Sequence, residues 1–212
     1  MPDVDFWQNR YETESTPWDL GQASPHFVSL LEDSASGLNK ALKPLLTPGK
    51  MAVLGCGRGH DAALFAQAGF DVVGFDYAPA AIQEAQTLYG QIARFQQLDI
   101  LKLGMDRGDA TSMWTGYFDY VLEHTCFCAI SPADRPAYVQ AVKILLKPGG
   151  LLLGLFWETG ENEDRPPYNT LEADVRSEFR SGFEVLSVHD LKPALGRGGV
   201  ERLIVLRRCN EL

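Results

Sequence analysis

The sequence is poor in the features that mark secreted, membrane-spanning, metal-binding or nucleic-acid-binding chains. Its opening residues, Met1 to Asp5, are acidic and hold no apolar core of signal-peptide length, which speaks against secretion. No apolar run approaches the ~20 residues that span a bilayer. Only four cysteines and four histidines occur, and no Cys-x-x-Cys pair exists among Cys56, Cys126, Cys128 and Cys209. A disulfide or metal framework therefore lacks its ligands, and reduced thiols in a cytoplasmic protein are expected. Lys and Arg number 19 against 28 Asp and Glu, a net charge of −9, and form no basic patch. Contact with nucleic acid or an anionic membrane is thus not expected. No repeat, low-complexity tract or linker divides the 212 residues, and a hydrophobic content of 45% suffices for one core. The expectation is one domain over residues 1–212, with 1–48 as an N-terminal lid and packing helices.

What the chain does have is Met51-Ala52-Val53-Leu54-Gly55-Cys56-Gly57-Arg58-Gly59-His60-Asp61, an apolar run ending in alternate glycines, followed by the helical pattern Ala62–Ala66. This reads as strand, tight turn and helix. Glycines there let a ligand approach the backbone, and the N–H groups of the helix start face it. A dinucleotide fingerprint, G-x-G-x-x-G, would place its third glycine where His60 stands; here it comes one residue early, at Gly59. A phosphate loop would need Gly-Lys-Ser/Thr, which is absent. Phe70 to Asp76 reads as the next strand, ending in an acid nineteen positions after Gly57. From that place a carboxylate grips a ribose through its hydroxyls. Asp76 also suits the N-cap of a helix over Ala78 to Leu88. The G-x-G-x-G form resembles the first motif of the class I S-adenosylmethionine methyltransferases.

Upstream, Phe6, Trp7 and Tyr11 recur at helical spacing, and Pro17-Trp18-Asp19-Leu20-Gly21 reads as a turn. This segment either packs as a plain helix or closes over the pocket, with Trp7 and Trp18 beside the sulfonium. A cation over an indole gains about 0.5–2 kcal/mol. Pro25 opens a helical pattern (Phe27, Leu30, Leu31, Leu38, Leu42, Leu45, Leu46) with a possible break at Gly37. Ile92 to Leu98 reads as a third strand, Leu101 to Thr115 as loop or short helix, and Tyr117 to Glu123 as a fourth strand. Glu123-His124-Thr125-Cys126-Phe127-Cys128 then lies at a carboxyl end, where open α/β sheets bind ligands. Pro132 to Leu146 reads as helix, Lys147 to Gly150 as a turn, and Leu151 to Trp157 as an apolar strand covered on both faces. Beyond a polar, Pro-rich stretch (Glu158 to Tyr168), Leu171 to Gly182 reads as helix. Phe183 to Leu191 and Val200 to Arg208 read as an antiparallel hairpin closing the sheet.

Together Phe6-Trp7…Tyr11, Thr16-Pro17-Trp18-Asp19-Leu20-Gly21, Leu54 to Asp61, Gly74-Phe75-Asp76, Phe118-Asp119-Tyr120, Thr125-Cys126-Phe127-Cys128-Ala129-Ile130, Leu146 to Gly150 and Pro166-Pro167-Tyr168 resemble the thiopurine methyltransferase superfamily. The likeness is nearer its halide/thiol methyltransferase branch. It implies an α/β class I methyltransferase (Rossmann-like) three-layer sandwich, with a seven-stranded, mostly parallel sheet, an antiparallel C-terminal strand and an N-terminal helical lid. It also implies S-adenosylmethionine as donor, S-adenosylhomocysteine as product, and a small-molecule acceptor; separately, a monomer is expected. The cofactor contacts it implies are Trp7, Trp18, Gly55, Gly57, Gly59, Asp76 and Tyr77, with Asp99 on the adenine amino group, Ile100 on its ring, and Glu123. Acceptor contacts fall to His124, Phe127 and Tyr168. Where the branch shows Phe-Asp-Tyr-Thr, this chain has Leu122-Glu123-His124-Thr125.

Methyl transfer from a sulfonium is an in-line displacement, so holding the partners at attack distance in a dry pocket is the main task. A thiol of pKa about 8.5 is mostly protonated at neutral pH. A base helps, and His124 titrates in the right range, with Glu123 beside it to raise its basicity. The alternative is a packed, structural His124. Asp61 reads as a complement to the helix dipole or a cofactor contact, and Cys126 and Cys128 as small residues in a tight loop. The expected activity is methylation of a small soft nucleophile, a thiol or halide, with thiopurine-like or metalloid acceptors as alternatives. An NAD-dependent oxidoreductase is disfavoured by the missing glycine and the lack of a Tyr-x-x-x-Lys pattern; a cofactor-binding regulator without turnover is the third option.

Overall fold

The computed structural model describes residues 3–32, 37–103, 113–161, 164–194 and 198–210. Three helices come first: α1 (Val4–Glu12), α2 (Pro25–Leu31) and α3 (Gly37–Leu42). Strand and helix then alternate through β1 (Lys50–Leu54), α4 (His60–Gln67), β2 (Asp71–Asp76), α5 (Pro79–Tyr89), β3 (Arg94–Gln97) and β4 (Phe118–His124). The chain continues with α6 (Arg135–Leu145), β5 (Leu146–Glu158), α7 (Glu172–Phe179), β6 (Phe183–Leu191) and β7 (Val200–Arg208).

The seven strands make one sheet in the order β3-β2-β1-β4-β5-β7-β6. Pairings from β3 through β5 are parallel, and β7 is antiparallel to both its neighbours. The expected hairpin of β6 and β7 is present, but β7 inserts between β5 and β6. The reason is burial. Leu203 to Leu206 are four consecutive fully buried residues, whereas β6 is mostly half-exposed and serves as the edge.

Side chains alternate across the pleat and build two cores. Ala52, Leu54, Phe75, Val121, Leu152 and Ile204 face α6 and α7, where Tyr138, Val142, Leu145 and Phe179 meet them. Met51, Val53, Leu122, Leu153, Leu155 and Leu203 face the other way, toward Phe27 and Leu30 of α2 and Phe65 of α4. The layers are helix, sheet, helix.

Several boundaries differ from expectation. The pattern from Pro25 to Leu46 is two helices and a 3₁₀ turn (Lys43–Leu45). The third strand is shorter, and Ile92 lies outside it at 46% exposure. Lys147 to Gly150 belongs to β5 as an irregularity: the register passes from Phe118 beside Leu146 to Tyr120 beside Leu151. Of the stretch Leu101 to Thr115, residues 104–112 lie outside the described residues.

Candidate active site

Two glycines of the turn after β1 are demanded by geometry. Gly55 has φ +59, and a Cβ there would lie 2.8 Å from Sγ of Cys126; Gly59 has φ +83, with Phe95 only 2.7 Å from where a Cβ would be. The first lets the loop after β4 close on the turn, and the second lets α4 start against β3. Gly57 contributes its N–H, which donates to Oδ2 of Asp76 at 2.9 Å, while Ala78 N–H donates to Oδ1 at 2.9 Å. The carboxylate thus ties β2, the glycine turn and the entry to α5 together, but it is not the N-cap expected from sequence: Ala78 holds that position, with no side-chain cap. Burial pushes its pKa up, and the N–H groups of Ala78, Gly57 and Tyr77 counter this in part.

The N-terminal segment closes over this turn. Trp7 and Trp18 meet edge to face at 5.5 Å, and Tyr11 meets Trp18 at 6.1 Å. Ala80 N–H donates to Oε1 of Gln8 at 2.9 Å, docking α1 on α5. Arg58 is the clasp: it donates to Thr16 Oγ1 at 2.8 Å and to the carboxylates of Asp19 and Glu84. Burial alone would raise the pKa of Asp19, but hydrogen bonds from His60, Arg58 and the Gly21 N–H outweigh it and hold the group well below the carboxylate range.

Lid, glycine turn and strand ends enclose a cavity of about 450 Å³, a size that suits a small-molecule site. Trp7, Trp18, Gly55 and Gly57 line it, as do Asp76, Tyr77, Ile100 and His124. Five expected site residues lie off it, each for a physical reason. Gly59 is a packing position. Asp99 accepts the N–H of Leu101 at 3.1 Å and pairs with Lys102 at 3.2 Å, while its neighbours Leu98 and Ile100 line the cavity. Glu123, 1% exposed, points to the opposite face of β4 and accepts from Cys126 N–H (3.0 Å), Phe127 N–H (2.9 Å) and Tyr138 O–H (2.6 Å). It holds the loop and makes no hydrogen bond to the ring of His124, although its charge, after those of Asp61 and Glu201, raises the histidine's pKa as expected. Phe127 is fully buried between Tyr138 and Phe156, each at 5.4 Å. Tyr168 engages through its backbone N–H, on the carbonyl of Cys128 at 2.7 Å, and Pro166 and Pro167 line the cavity in its place.

The partner of His124 is Asp61. Oδ2 of Asp61 accepts from His124 Nδ1 at 2.8 Å, and Oδ1 accepts Ser24 N–H at 2.7 Å. A carboxylate on Nδ1 places the proton there. Nε2 is left with no hydrogen-bond partner among the described residues. Burial lowers the pKa of His124, but the charge and hydrogen bond of Asp61, then Glu201 and Glu123, outweigh it and leave the pKa raised. The next residue, Thr125, is β-branched at φ 60, a strain of roughly 1–3 kcal/mol that folds tend to keep at functional sites. Trp157, which also lines the cavity near the end of β5, was not singled out from sequence. The thiols of Cys56 and Cys126 have pKa values pushed well up, by burial first and neighbouring carboxylates second. Among the described residues there is no group of three metal-ligating side chains, and no helix is long and apolar enough to cross a membrane.

A parallel sheet with one inserted antiparallel strand, a glycine turn closed by the acid of β2, and a cavity over the carboxyl ends define a class I methyltransferase fold. A Burkholderia thailandensis 1,6-didemethyltoxoflavin-N1-methyltransferase, solved with S-adenosylhomocysteine, shares it: TM-score 0.70, 17% identity, 98% of this chain and 87% of that one. Residues 2–203 match the thiopurine S-methyltransferase family model. The chain belongs to that family and is an S-adenosylmethionine-dependent methyltransferase. It is similar to thiocyanate methyltransferase 1 of Arabidopsis thaliana (34% identity, covering 96% of this chain and 85% of the relative). It is also similar to probable thiol methyltransferase 2 of the same plant (30%, covering 93% and 82%).

Proposed function

We propose that this protein methylates the sulfur of a small thiol, with His124 as the base that takes the thiol proton and Asp61 as the residue that orients it. One observation carries the reading: a buried imidazole at the cavity wall whose Nδ1 is held by a carboxylate and whose Nε2 has no partner. The S–H bond of the acceptor breaks, its proton goes to Nε2, and the sulfur electron pair forms the new bond to carbon. S-adenosylmethionine, when bound, would supply a methyl on a sulfonium whose thioether is a neutral leaving group, so no general acid is required. Asp76 and the glycine turn would hold the ribose, Leu98 and Ile100 would flank the adenine, and the lid of Trp7 and Trp18 would keep water out. Afterwards the proton returns to solvent. The whole chain acts as one methyltransferase unit.

A second acceptor class, small soft anions such as thiocyanate or iodide, suits the protonated form of His124, which offers an N–H to a negative charge. The raised pKa favours that form, and a thiocyanate methyltransferase is among the relatives.

The test is transfer from labelled S-adenosylmethionine to hydrosulfide, an aryl thiol, a thiopurine, iodide, bromide and thiocyanate, for wild type and His124→Gln. Wild type is expected to methylate a thiol, and the variant to lose about 10²–10⁴ in kcat/KM on it with a smaller loss on iodide. Equal thiol turnover by both proteins across pH 6–9 removes the base.

A further inference from the structure

Glu201 is a carboxylate that the chemistry above leaves unused. It stands on β7 at 1% exposure, where a charge persists only if it is paired and hydrogen-bonded. The hydrogen bonds are in place. Its Oε2 accepts the backbone N–H of Ala194 at 3.3 Å and lies 3.0 Å from Nε2 of His26. That same nitrogen is 2.9 Å from the carbonyl oxygen of Lys192. Two acceptors on one ring nitrogen require that it carries the proton. Burial alone would push the pKa of Glu201 up; the hydrogen bond from His26, the charge of His124 and the Ala194 N–H bring it below the ordinary value.

The sheet register places this carboxylate toward the base. His124 on β4 is beside Leu155 on β5, and Leu155 is beside Leu203 on β7. Glu201 is two residues from Leu203 and therefore on the same face. That face is covered by α2, whose Phe27 ring is 5.8 Å from the ring of His124 and whose His26 holds Glu201. The groups whose charge weighs most on His124 are Asp61 from α4, Glu201 from β7, and Glu123 on its own strand. Glu123 is turned to the opposite face and engaged with Tyr138. Two carboxylates thus share a sheet face with the base, one bonded to its ring and one across the sheet.

We propose that Glu201, clasped by His26, is a positioning residue for the base: its held negative charge stabilises the imidazolium formed when His124 takes the acceptor proton. This rests on the reading of His124 as the base. It extends the site from the cavity to α2.

The experiment is kcat/KM for a thiol over pH 5–9 on the full chain at saturating donor, in wild type, Glu201→Gln, Glu201→Asp and His124→Gln. Wild type shows a limb rising with pH, and Glu201→Gln moves it down by about one pH unit. Glu201→Asp, which keeps the charge, restores it toward wild type. Should Glu201→Gln not fold, Glu201→Met removes the buried charge altogether and is expected to give the same downward shift. Lower activity at every pH with an unmoved limb is what mere packing would give, and it overturns the proposal. If the limb is unmoved in the Glu201 variants yet vanishes in His124→Gln, the role of Glu201 fails and the base stands. A limb that survives in His124→Gln takes down the base reading itself.

Discussion

At the scale of single residues, the Asp61–His124 pair makes stability depend on pH with a definite sign. The folded protein binds the His124 proton more tightly than the unfolded chain, because Asp61, Glu201 and Glu123 outweigh burial. The stabilisation is fully present below the unfolded pKa, about 6.5, and is lost as pH rises through the higher folded value. Asp61→Asn leaves burial as the larger influence, so the loss of stability above about pH 6.5 is expected to flatten or reverse. Melting temperatures of both proteins between pH 5.5 and 8.5 decide it; parallel curves would refute it. His124 was legible in sequence because it stands at the carboxyl end of a strand and departs from the family pattern. Asp61 was read as a dipole complement or cofactor contact, which its place in the first turn of α4 and on the cavity wall fits, but its bond to His124 was not foreseen. Its role needs β1 and β4 to be neighbours, with the first turn of α4 delivered to the end of β4, and that adjacency is tertiary. Glu123 and Phe127 were assigned to the site by proximity in sequence, yet strand alternation and the tight turn after it send both into the core.

At the scale of elements, the glycine turn and the lid make separate demands. Gly59→Ala places a methyl 2.7 Å from the Phe95 ring at φ +83, combining overpacking with backbone strain. The expected cost is about 1–3 kcal/mol, or roughly 2–4 °C of Tm per kcal/mol for a chain of this size, read by thermal melting. Arg58→Ala acts differently. It frees Thr16 and Asp19 from α5 while leaving the two cores untouched, so the lid spends more time open. Affinity for S-adenosylhomocysteine is expected to fall about tenfold, an effect of one or two partly exposed charged hydrogen bonds, with little change in the Tm of the free protein. Calorimetric titration checks this; unchanged affinity would show that the clasp is not what closes the lid. The turn, the strand patterns and the aromatic lid were readable because each depends on local spacing. The place of β7 was not: pairing with β6 follows from the short connection, but lying beside β5 depends on which strand is more deeply buried, and only Leu203 to Leu206 carried that information.

At the scale of the whole molecule, α/β alternation and an undivided composition made the layered architecture readable, whereas the meeting of α1, α4, β4 and β5 around one cavity came only with the fold. That meeting has a further outcome. Cys56, Cys126 and Cys128 all border the cavity, so a methyltransferase proposed to act on sulfur keeps sulfur of its own within the walls. Burial and nearby carboxylates hold Cys56 and Cys126 in the protonated form, and the thiols of Cys56 and Cys128 lie against the carbonyls of Gly57 and Thr125 at 3.7 and 3.4 Å. Protonated thiols are poor nucleophiles. The catalyst is therefore expected to spare itself: its intact mass should gain no methyl during prolonged incubation with donor and no acceptor, and a methyl mapped to Cys56, Cys126 or Cys128 would refute this.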